Sequence, residues 1–483
     1  MDKFFKIKER GSTVRTEIIA GLTTFFAMCY IVFVNPEQVT GFSLAGATEA
    51  GIANIWNAVY IASVLVAIIG TLLMAFYAKM PFAQACGMGL NAFFFVSFML
   101  FAEDKMAGYH SGLVIIFVSG LVFLLLSATG LRKYIATAMP DCLKKAIPAG
   151  IGLFIAFIGF QNVGLIQDNQ FTLTQLFDFH GVLAKIGTDV TNEAGEVIGV
   201  FSGMDAWKTM APVVLAIIGL VLIAVLAKLK VKGNIIISIL AVTVLYYVTT
   251  LTVPSFNLGN IGQSFKDFGT VGITGIFKLS SWQNAFADVF KAVVLVVTFC
   301  LVDMFDTVGT LYGTASQANM LDENGDPINV DKAMMCDSIG TVTGAVLGTS
   351  TCTTFVESAA GVGAGGRTGL TSVVTAACFA ICLFLSPFAS IVPGCATAPA
   401  LIYVGVLMMK NFAKVDMEDV ASAVPAFMAL IFMVLSYSIS NGIGVGAITY
   451  VLITLLTGKF KKKDIVITII ALLFIARFLL VTM

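Results

Sequence analysis

The chain has 483 residues, 58% of them hydrophobic and 12% charged, with a formal net charge of zero and a mean hydropathy of +0.96. Soluble domains are about 45–50% apolar and about 25% charged, so this composition belongs to a polytopic membrane protein. Zero net charge argues against a nucleic-acid partner, the two histidines exclude haem ligation and His-rich metal chemistry inside a membrane, and nine cysteines without a CxxC read as buried thiols rather than a disulfide framework or zinc site.

The opening MDKFFKIKERGSTVRTE is basic over a long stretch and has no small-residue cleavage site, so residues 1–16 read as a cytoplasmic tail rather than a signal peptide. Apolar windows of roughly 20 residues follow near 17–35, 52–78, 82–101, 111–130, 143–160, 210–228, 234–253, 286–302, 333–348, 355–366, 368–391, 396–411, 423–439, 442–457 and 464–481. The first fourteen read as spans, two of them broken. Arg477 interrupts the last, which either spans or lies at the cytoplasmic interface. With the N-terminus inside, most of the 28 Lys and Arg residues fall on the cytoplasmic side, from Lys3, Lys6 and Lys8 to Lys461, Lys462 and Lys463. Two long polar loops, 161–207 and 254–283, then lie outside. In the first, TNEAGEVIG reads as a hairpin turn between short strands. The cytoplasmic LDENGDPINVDK lacks the Glu that a calcium loop needs at its twelfth position and reads as a turn. Faint internal repetition links Thr24-Phe25 with Thr298-Phe299 and Pro148-Ala149 with Pro399-Ala400. With seven spans per copy, the second copy would be inverted.

Three stretches could carry chemistry. In MPFAQACGMGLNAFFF (80–95), Gly87 and Gly89 weaken the middle of a span, and Asn91 is a carboxamide at depth that can both donate and accept. The glycines also suit close helix packing. In VVTFCLVDMFDTVGTLYG (296–313), Asp303 and Asp306 stand three apart on neighbouring positions of one helix face. Two ionised carboxylates so close in an apolar interior would repel, so at least one is expected to hold a proton near neutrality, which suits proton coupling. Asp337 is a third buried acid, expected to pair within the bundle.

The third stretch, GTSTCTTFVESAAGVGAGGR (348–367), is poor material for an ordinary span. A charge in such a place usually faces a cavity or the bundle interior, and irregular backbone at membrane depth lines a cavity or is buried in protein. A helix beginning near Phe355 would be capped by Thr353 or Thr354, with Glu357 in its first turn. The Gly361–Gly365 spacing most simply gives tight packing.

Together these stretches resemble the nucleobase–cation symporters, and within them the azaguanine-resistance-type adenine/guanine/hypoxanthine permeases. The likeness rests on GMGLNAFF (87–94), DMFDTVGTL (303–311), TTFVESAAGVGAGGRTGL (353–370), residues 15–37 and YSISNGIGVG (437–446), and so covers nearly the whole chain. The resemblance implies an all-α polytopic protein of 14 transmembrane segments in two inverted 7-span repeats, with short extended breaks in spans 3 and 10. It divides this chain into a core domain of spans 1–4 and 8–11 (17–130 and 254–391) and a gate domain of spans 5–7 and 12–14 (131–253 and 392–457). A basic C-terminal segment (458–483) follows, with a possible interfacial or extra helix. By motif position Asp306, Glu357 and Asn91 take the places of the family's eighth-span acid, tenth-span glutamate and third-span asparagine. Where uracil and xanthine relatives carry a histidine, this chain has Thr310, which fits the purine branch and leaves out a histidine relay.

The expected function is import of hypoxanthine, guanine and in a wider reading adenine by proton symport, with H⁺ ahead of Na⁺ as the coupling ion. Asp306 and Glu357 would accept the base's N–H donors. Asn91 and the amides near Gly89, Thr353 and Thr354 would answer its acceptors, and Phe25, Phe93 and Phe355 would stack on it. Asp306, Glu357 and Asp303 are the proton-coupling candidates. Beyond the purine and the lipid bilayer the one further partner considered is a second copy in a homodimer, and no cofactor or metal is implied. The expected location is the plasma (inner) membrane. An anion transporter or channel of the same architecture is the main rival, but would prefer a basic or neutral site. A membrane hydrolase lacks a histidine base and a nucleophile motif, and a scaffold leaves the buried acids unexplained.

Overall fold

The computed structural model describes residues 2–41, 51–130, 139–191, 197–254, 259–317, 320, 327–389 and 391–480. A first pair of helices, α1 (Val14–Met28) and α2 (Ile31–Thr40), is separated at Cys29 and Tyr30. There Val32 N–H bonds the Cys29 carbonyl and Phe33 N–H that of Tyr30, the tighter three-residue pattern that loosens a helix. Next come α3 (Ile52–Leu73), β1 (Gln84–Cys86), α4 (Met88–Phe94), α5 (Lys105–Thr129) and α6 (Asp141–Asn162). Two antiparallel hairpins follow, β2 (Ile166–Asn169) with β3 (Leu173–Leu176) and β4 (Asp189–Thr191) with β5 (Val197–Val200). The chain continues through α7 (Gly203–Lys228), α8 (Asn234–Thr250), α9 (Val289–Gln317), α10 (Val330–Leu347), β6 (Cys352–Thr354) and α11 (Ser358–Gly363). It ends with α12 (Gly369–Cys382), α13 (Gly394–Met409), α14 (Val420–Leu435), α15 (Ile439–Leu456) and α16 (Ile465–Leu480).

Among the described residues, seven helices are long and apolar enough to cross a membrane, and an eighth candidate joins Leu279–Ala285 to Val289–Val308 at 92°. Shorter apolar helices, including α8, α12, α14 and α16, lie beside them. Leu125, Val221, Phe427 and Leu472 are all exposed on the helix surfaces, an outward apolar face that only lipid suits. The molecule is therefore an integral multi-pass membrane protein.

Several boundaries differ from the hydropathy windows. The window at 286–302 stops short because Asp303 and Asp306 lower the local hydropathy, yet α9 runs unbroken to Gln317. Its acids turn inward, so the helix needs no apolar side chains at those positions. In the window at 355–366 only six residues are helical. The strands expected around TNEAGEVIG are β4 and β5, whereas the turn residues 192–196 lie outside the described residues, as do 321–326 of the LDENGDPINVDK loop. The β2–β3 hairpin was not anticipated, since its strands carry little alternation of polarity. α16, the ambiguous last window, lies along α15. Phe474 packs against Gly444, and Arg477 Nη1 donates to Ser440 Oγ at 2.6 Å and Asn441 Oδ1 at 3.0 Å.

Candidate functional site

Two short strands far apart in sequence meet each other. β1 and β6 pair antiparallel with Gln84 opposite Thr354, Ala85 opposite Thr353 and Cys86 opposite Cys352. Gly87 N–H to Thr351 O and Phe355 N–H to Ala83 O, both 3.0 Å, extend the ladder at either end. Local sequence explains the extended backbone. Gly348 stops α10 in a left-handed turn at φ +99°, where an added Cβ would lie 2.6 Å from the Gly272 Cα. The β-branched Thr349, Thr351, Thr353 and Thr354 then favour an extended chain. Ser372 Oγ donates to the carbonyls of Met80 and Phe82, and Ala83 N–H donates to Ser358 Oγ, so neighbouring helices hold the approach to β1.

A cavity of about 240 Å³ opens beside this crossing. One wall carries Met88 and Gly89 of α4, Asp306 and Thr310 of α9, and the run Thr353 to Glu357. The opposite wall is apolar, from Pro148 and Ile155 of α6 with Val404, Leu407 and Met408 of α13, and the mouth lies at Lys410, Asn411 and Lys414. Asp306 and Glu357 thus bring two half-buried carboxylates to one chamber from elements far apart in sequence. The Tyr30 hydroxyl donates to Glu357 Oε1 at 2.5 Å, and the Thr307 and Thr353 hydroxyls lie 3.1 Å apart, tying α9 to β6.

Behind the strands lies a layer of fully buried polar groups. Asp337 pairs within the bundle, as expected. It accepts from the Gln84 amide, and from the Thr354 hydroxyl at 3.1 Å and its N–H at 3.3 Å. Asp303 accepts from Thr341 Oγ at 2.7 Å through Oδ2, while its buried Oδ1 has no hydrogen-bond partner. Asn91 belongs to this layer and does not line the cavity: its amide donates to Asn35 and Gln38, and its Oδ1 accepts from Ser350.

The structure gathers Gly89, Asp306, Thr353, Thr354, Glu357 and Phe355 at the cavity, and sets Asn91, Asp303 and Phe25 apart from its lining. Phe25 packs edge-on against Phe379 with ring centroids 5.3 Å apart, and Phe93 lies against Phe299 at 4.8 Å. The expected cap is corrected. Thr353 and Thr354 belong to β6, and α11 starts at Ser358 with Glu357 as the preceding residue and no side-chain cap. The Thr354 hydroxyl is already engaged by Asp337, and β-branching keeps both threonines extended. Gly361 packs tightly, as expected: an added Cβ would lie 2.6 Å from the Ala20 carbonyl. Reasoning from sequence missed Tyr30, Met408 and Asn411, whose apolar or loop settings carry no distinguishing signal.

Comparison with known proteins identifies the family. The profile of the family described as "Permease family" matches residues 15–202 and 192–445. The guanine/hypoxanthine permease PbuG of Bacillus subtilis is 37% identical over 470 residues, covering 96% of each chain. The adenine permease AdeP of Escherichia coli K12 is 35% identical over 484 residues, covering 99% of this chain and 95% of its own. Among solved structures, the transmembrane domain of a cyanobacterium bicarbonate transporter, BicA, superposes with a TM-score of 0.57 at 16% identity, covering 88% of this chain and 96% of that one, which speaks to the fold alone. On the profile match and the two full-length relatives, the chain belongs to the permease family.

Proposed function

We propose that this permease transports purine nucleobases, importing hypoxanthine, guanine or adenine by proton symport. The observation that carries the reading is the single chamber holding Asp306 and Glu357 beside the β1–β6 crossing. Full-length relatives are a guanine/hypoxanthine permease and an adenine permease, which supports the substrate class. A purine edge presents N–H donors beside ring-nitrogen or carbonyl acceptors. The two carboxylates take the donors, the amides and hydroxyls around Gly89 and Thr353 take part in answering the acceptors, and Phe355 with the apolar gate wall sandwiches the ring. Half-buried acids with no basic partner among the described residues are costly in a membrane unless a proton neutralises them, and that cost is the basis of coupling.

The proposed architecture is fourteen spans in two inverted repeats. In its favour, α3–β1–α4 and α10–β6–α11 follow the same order, and β1 and β6 run antiparallel, as inverted copies require. A core of α1–α5 and α9–α12 would move against a gate of α6–α8 and α13–α15. Contacts within each group support this division: Thr375 Oγ bonds the Gly21 carbonyl between α12 and α1, while Gly152 and Gly405 let α6 and α13 touch. With the N-terminus in the cytoplasm of the inner membrane, the cavity mouth at Lys410 and Lys414 faces inward.

Uptake of labelled hypoxanthine, guanine and adenine into vesicles, with and without a protonophore, tests the reading. Asp306→Asn and Glu357→Gln are each expected to abolish uptake while membrane insertion stays intact. Normal accumulation by both variants would sink the site assignment, and accumulation indifferent to the protonophore would sink proton coupling.

A further inference from the structure

Glu37 is an acid that the proposed purine site does not use. It lies in the last turn of α2, and its Oε2 accepts a hydrogen bond of 2.6 Å from Thr397 Oγ in the first turn of α13. On the division proposed above, α2 belongs to the core and α13 to the gate, so this bond crosses the seam between the two moving bodies. Thr397 is buried, and its hydroxyl also reaches the Gly394 carbonyl of its own helix at 3.0 Å. The carboxylate is therefore a second acceptor supplied from across the seam, beyond what the helix turn itself provides.

The two ends of α13 differ in kind. Val404, Leu407 and Met408 line the open cavity, whereas Thr397 lies seven to eleven residues earlier, about 10–16 Å along the helix at 1.5 Å per residue. One end of the seam is open at Lys410 and Lys414, and the other is closed where Glu37 meets Thr397. Alternating access requires the closed end to part when the open end shuts. A bond across it then stabilises one state over the other, and its removal shifts their populations.

We propose that Glu37 and Thr397 form the latch that closes the permease on the side opposite the cavity mouth, as positioning residues that set how often that side opens. The proposal rests on the core–gate reading but not on the identity of the substrate. The bond is part-buried, with Thr397 inside the seam and Glu37 half-buried, so a closed seam leaves little water to replace it. Opening therefore breaks it without compensation unless solvent enters the seam at that moment, so the latch is released only with the domain motion.

Cys395, a free thiol two residues before Thr397 and 4% exposed, is a native reporter of this end of the seam. The full-length protein in oriented vesicles would be treated with a membrane-impermeant maleimide from the side opposite the cavity mouth, and labelling of the Cys395 peptide followed by mass spectrometry. Thr397→Val and Glu37→Leu are expected to raise the labelling rate roughly tenfold, the population shift that loss of the hydrogen bond across the seam gives. Glu37→Gln keeps an acceptor and is expected to stay near the parent rate. Parent-like labelling in Thr397→Val would overturn the proposal, as would a Gln variant that labels like the Leu variant. If Glu37→Leu does not fold, Thr397→Val, which keeps shape and removes the hydroxyl's contacts with Glu37 and the Gly394 carbonyl, carries the test. Because the readout needs no purine, a failure of purine uptake and a failure of the latch are separable.

Discussion

The Tyr30 hydroxyl reaches 327 residues along the chain to donate to Glu357 Oε1 at 2.5 Å. It does so from the irregular turn between α1 and α2, so the break in the first helix pair positions a donor at the carboxylate that lines the cavity. Glu357 stands at the N-cap of α11 but its side chain makes no capping hydrogen bond, and Tyr30 supplies its orientation instead.

Tyr30→Phe removes that donor and leaves the ring. A hydrogen bond to a charged group contributes about 1.5–3 kcal/mol, of which a loose carboxylate recovers part by rotating to other donors. The dissociation constant for hypoxanthine is expected to rise roughly tenfold, or about 1.4 kcal/mol, with the fold retained and the thermal midpoint modestly lowered. Titration calorimetry on purified protein measures both binding and its enthalpy. An unchanged dissociation constant would show that Tyr30 plays no part in orienting Glu357.

Glu17 is a buried acid whose role is structural. Its Oε1 accepts from Arg367 N–H at 3.0 Å, and its Oε2 accepts from the N–H groups of Thr368 and Thr371 at 3.2 Å and from Thr371 Oγ at 2.6 Å. Four donors at the start of α12 converge on one carboxylate, which also suits the positive end of the helix dipole. In Glu17→Gln, the amide NH₂ would face donors. The expected loss is about 1–3 kcal/mol for the buried groups left unsatisfied, read as a lower melting temperature in detergent with purine affinity preserved in the folded fraction.

The contrast between Glu17, Glu37 and Glu357 marks how far the sequence can be read. Glu357 and Asp306 were legible because a charge inside an apolar run is rare and costly, so each demands a cavity or a partner. The polar character of 87–91 and 348–357 was legible through their Gly, Asn, Ser and Thr residues in otherwise apolar surroundings. Their pairing was not, because Ala85 and Thr353 are brought together by the packing of helices and by no local pattern. Tyr30 and Met408 look like any apolar side chain in a span, since lipid and bundle interior impose similar hydropathy. Asn91 was legible as a polar residue needing partners, but its partners Asn35 and Ser350 turn it away from the cavity.

The close approach of α6 and α13 depends on glycine. A Cβ at Gly405 would lie 2.8 Å from the Ala156 Cβ and 3.3 Å from the Gly152 carbonyl carbon, so no rotamer relieves the clash. Overpacking of this kind costs about 1–3 kcal/mol. Gly405→Val is expected to lower the melting temperature and slow transport, because the apolar cavity wall moves with α13. Gly363→Ala serves as the control: nothing lies within 4 Å of the added Cβ, and Ala is favoured over Gly in a helix by about 0.5–1 kcal/mol. Equal melting temperatures for the two variants would remove the argument for a glycine contact between these helices.

Asp303 and Asp337 separate two tasks that buried acids perform. Asp337 accepts from the Gln84 amide and from the hydroxyl and N–H of Thr354, so it fixes the residues that face each other in β1 and β6. Every one of those contacts needs an acceptor, and Asp337→Asn turns one acceptor into a donor. Strand pairing and purine binding are both expected to be lost, with uptake below detection. Asp303 instead offers one engaged oxygen, to Thr341, and one buried oxygen without a partner. Asp303→Asn can keep its carbonyl oxygen on Thr341 and set its NH₂ where Oδ1 was, so folding and purine binding are expected to survive. If Asp303 carries the coupled proton, this variant exchanges labelled hypoxanthine across the membrane yet no longer concentrates it against a gradient, and a protonophore has no further effect. Concentrative, protonophore-sensitive uptake by Asp303→Asn would assign the proton to Asp306 or Glu357 at the cavity.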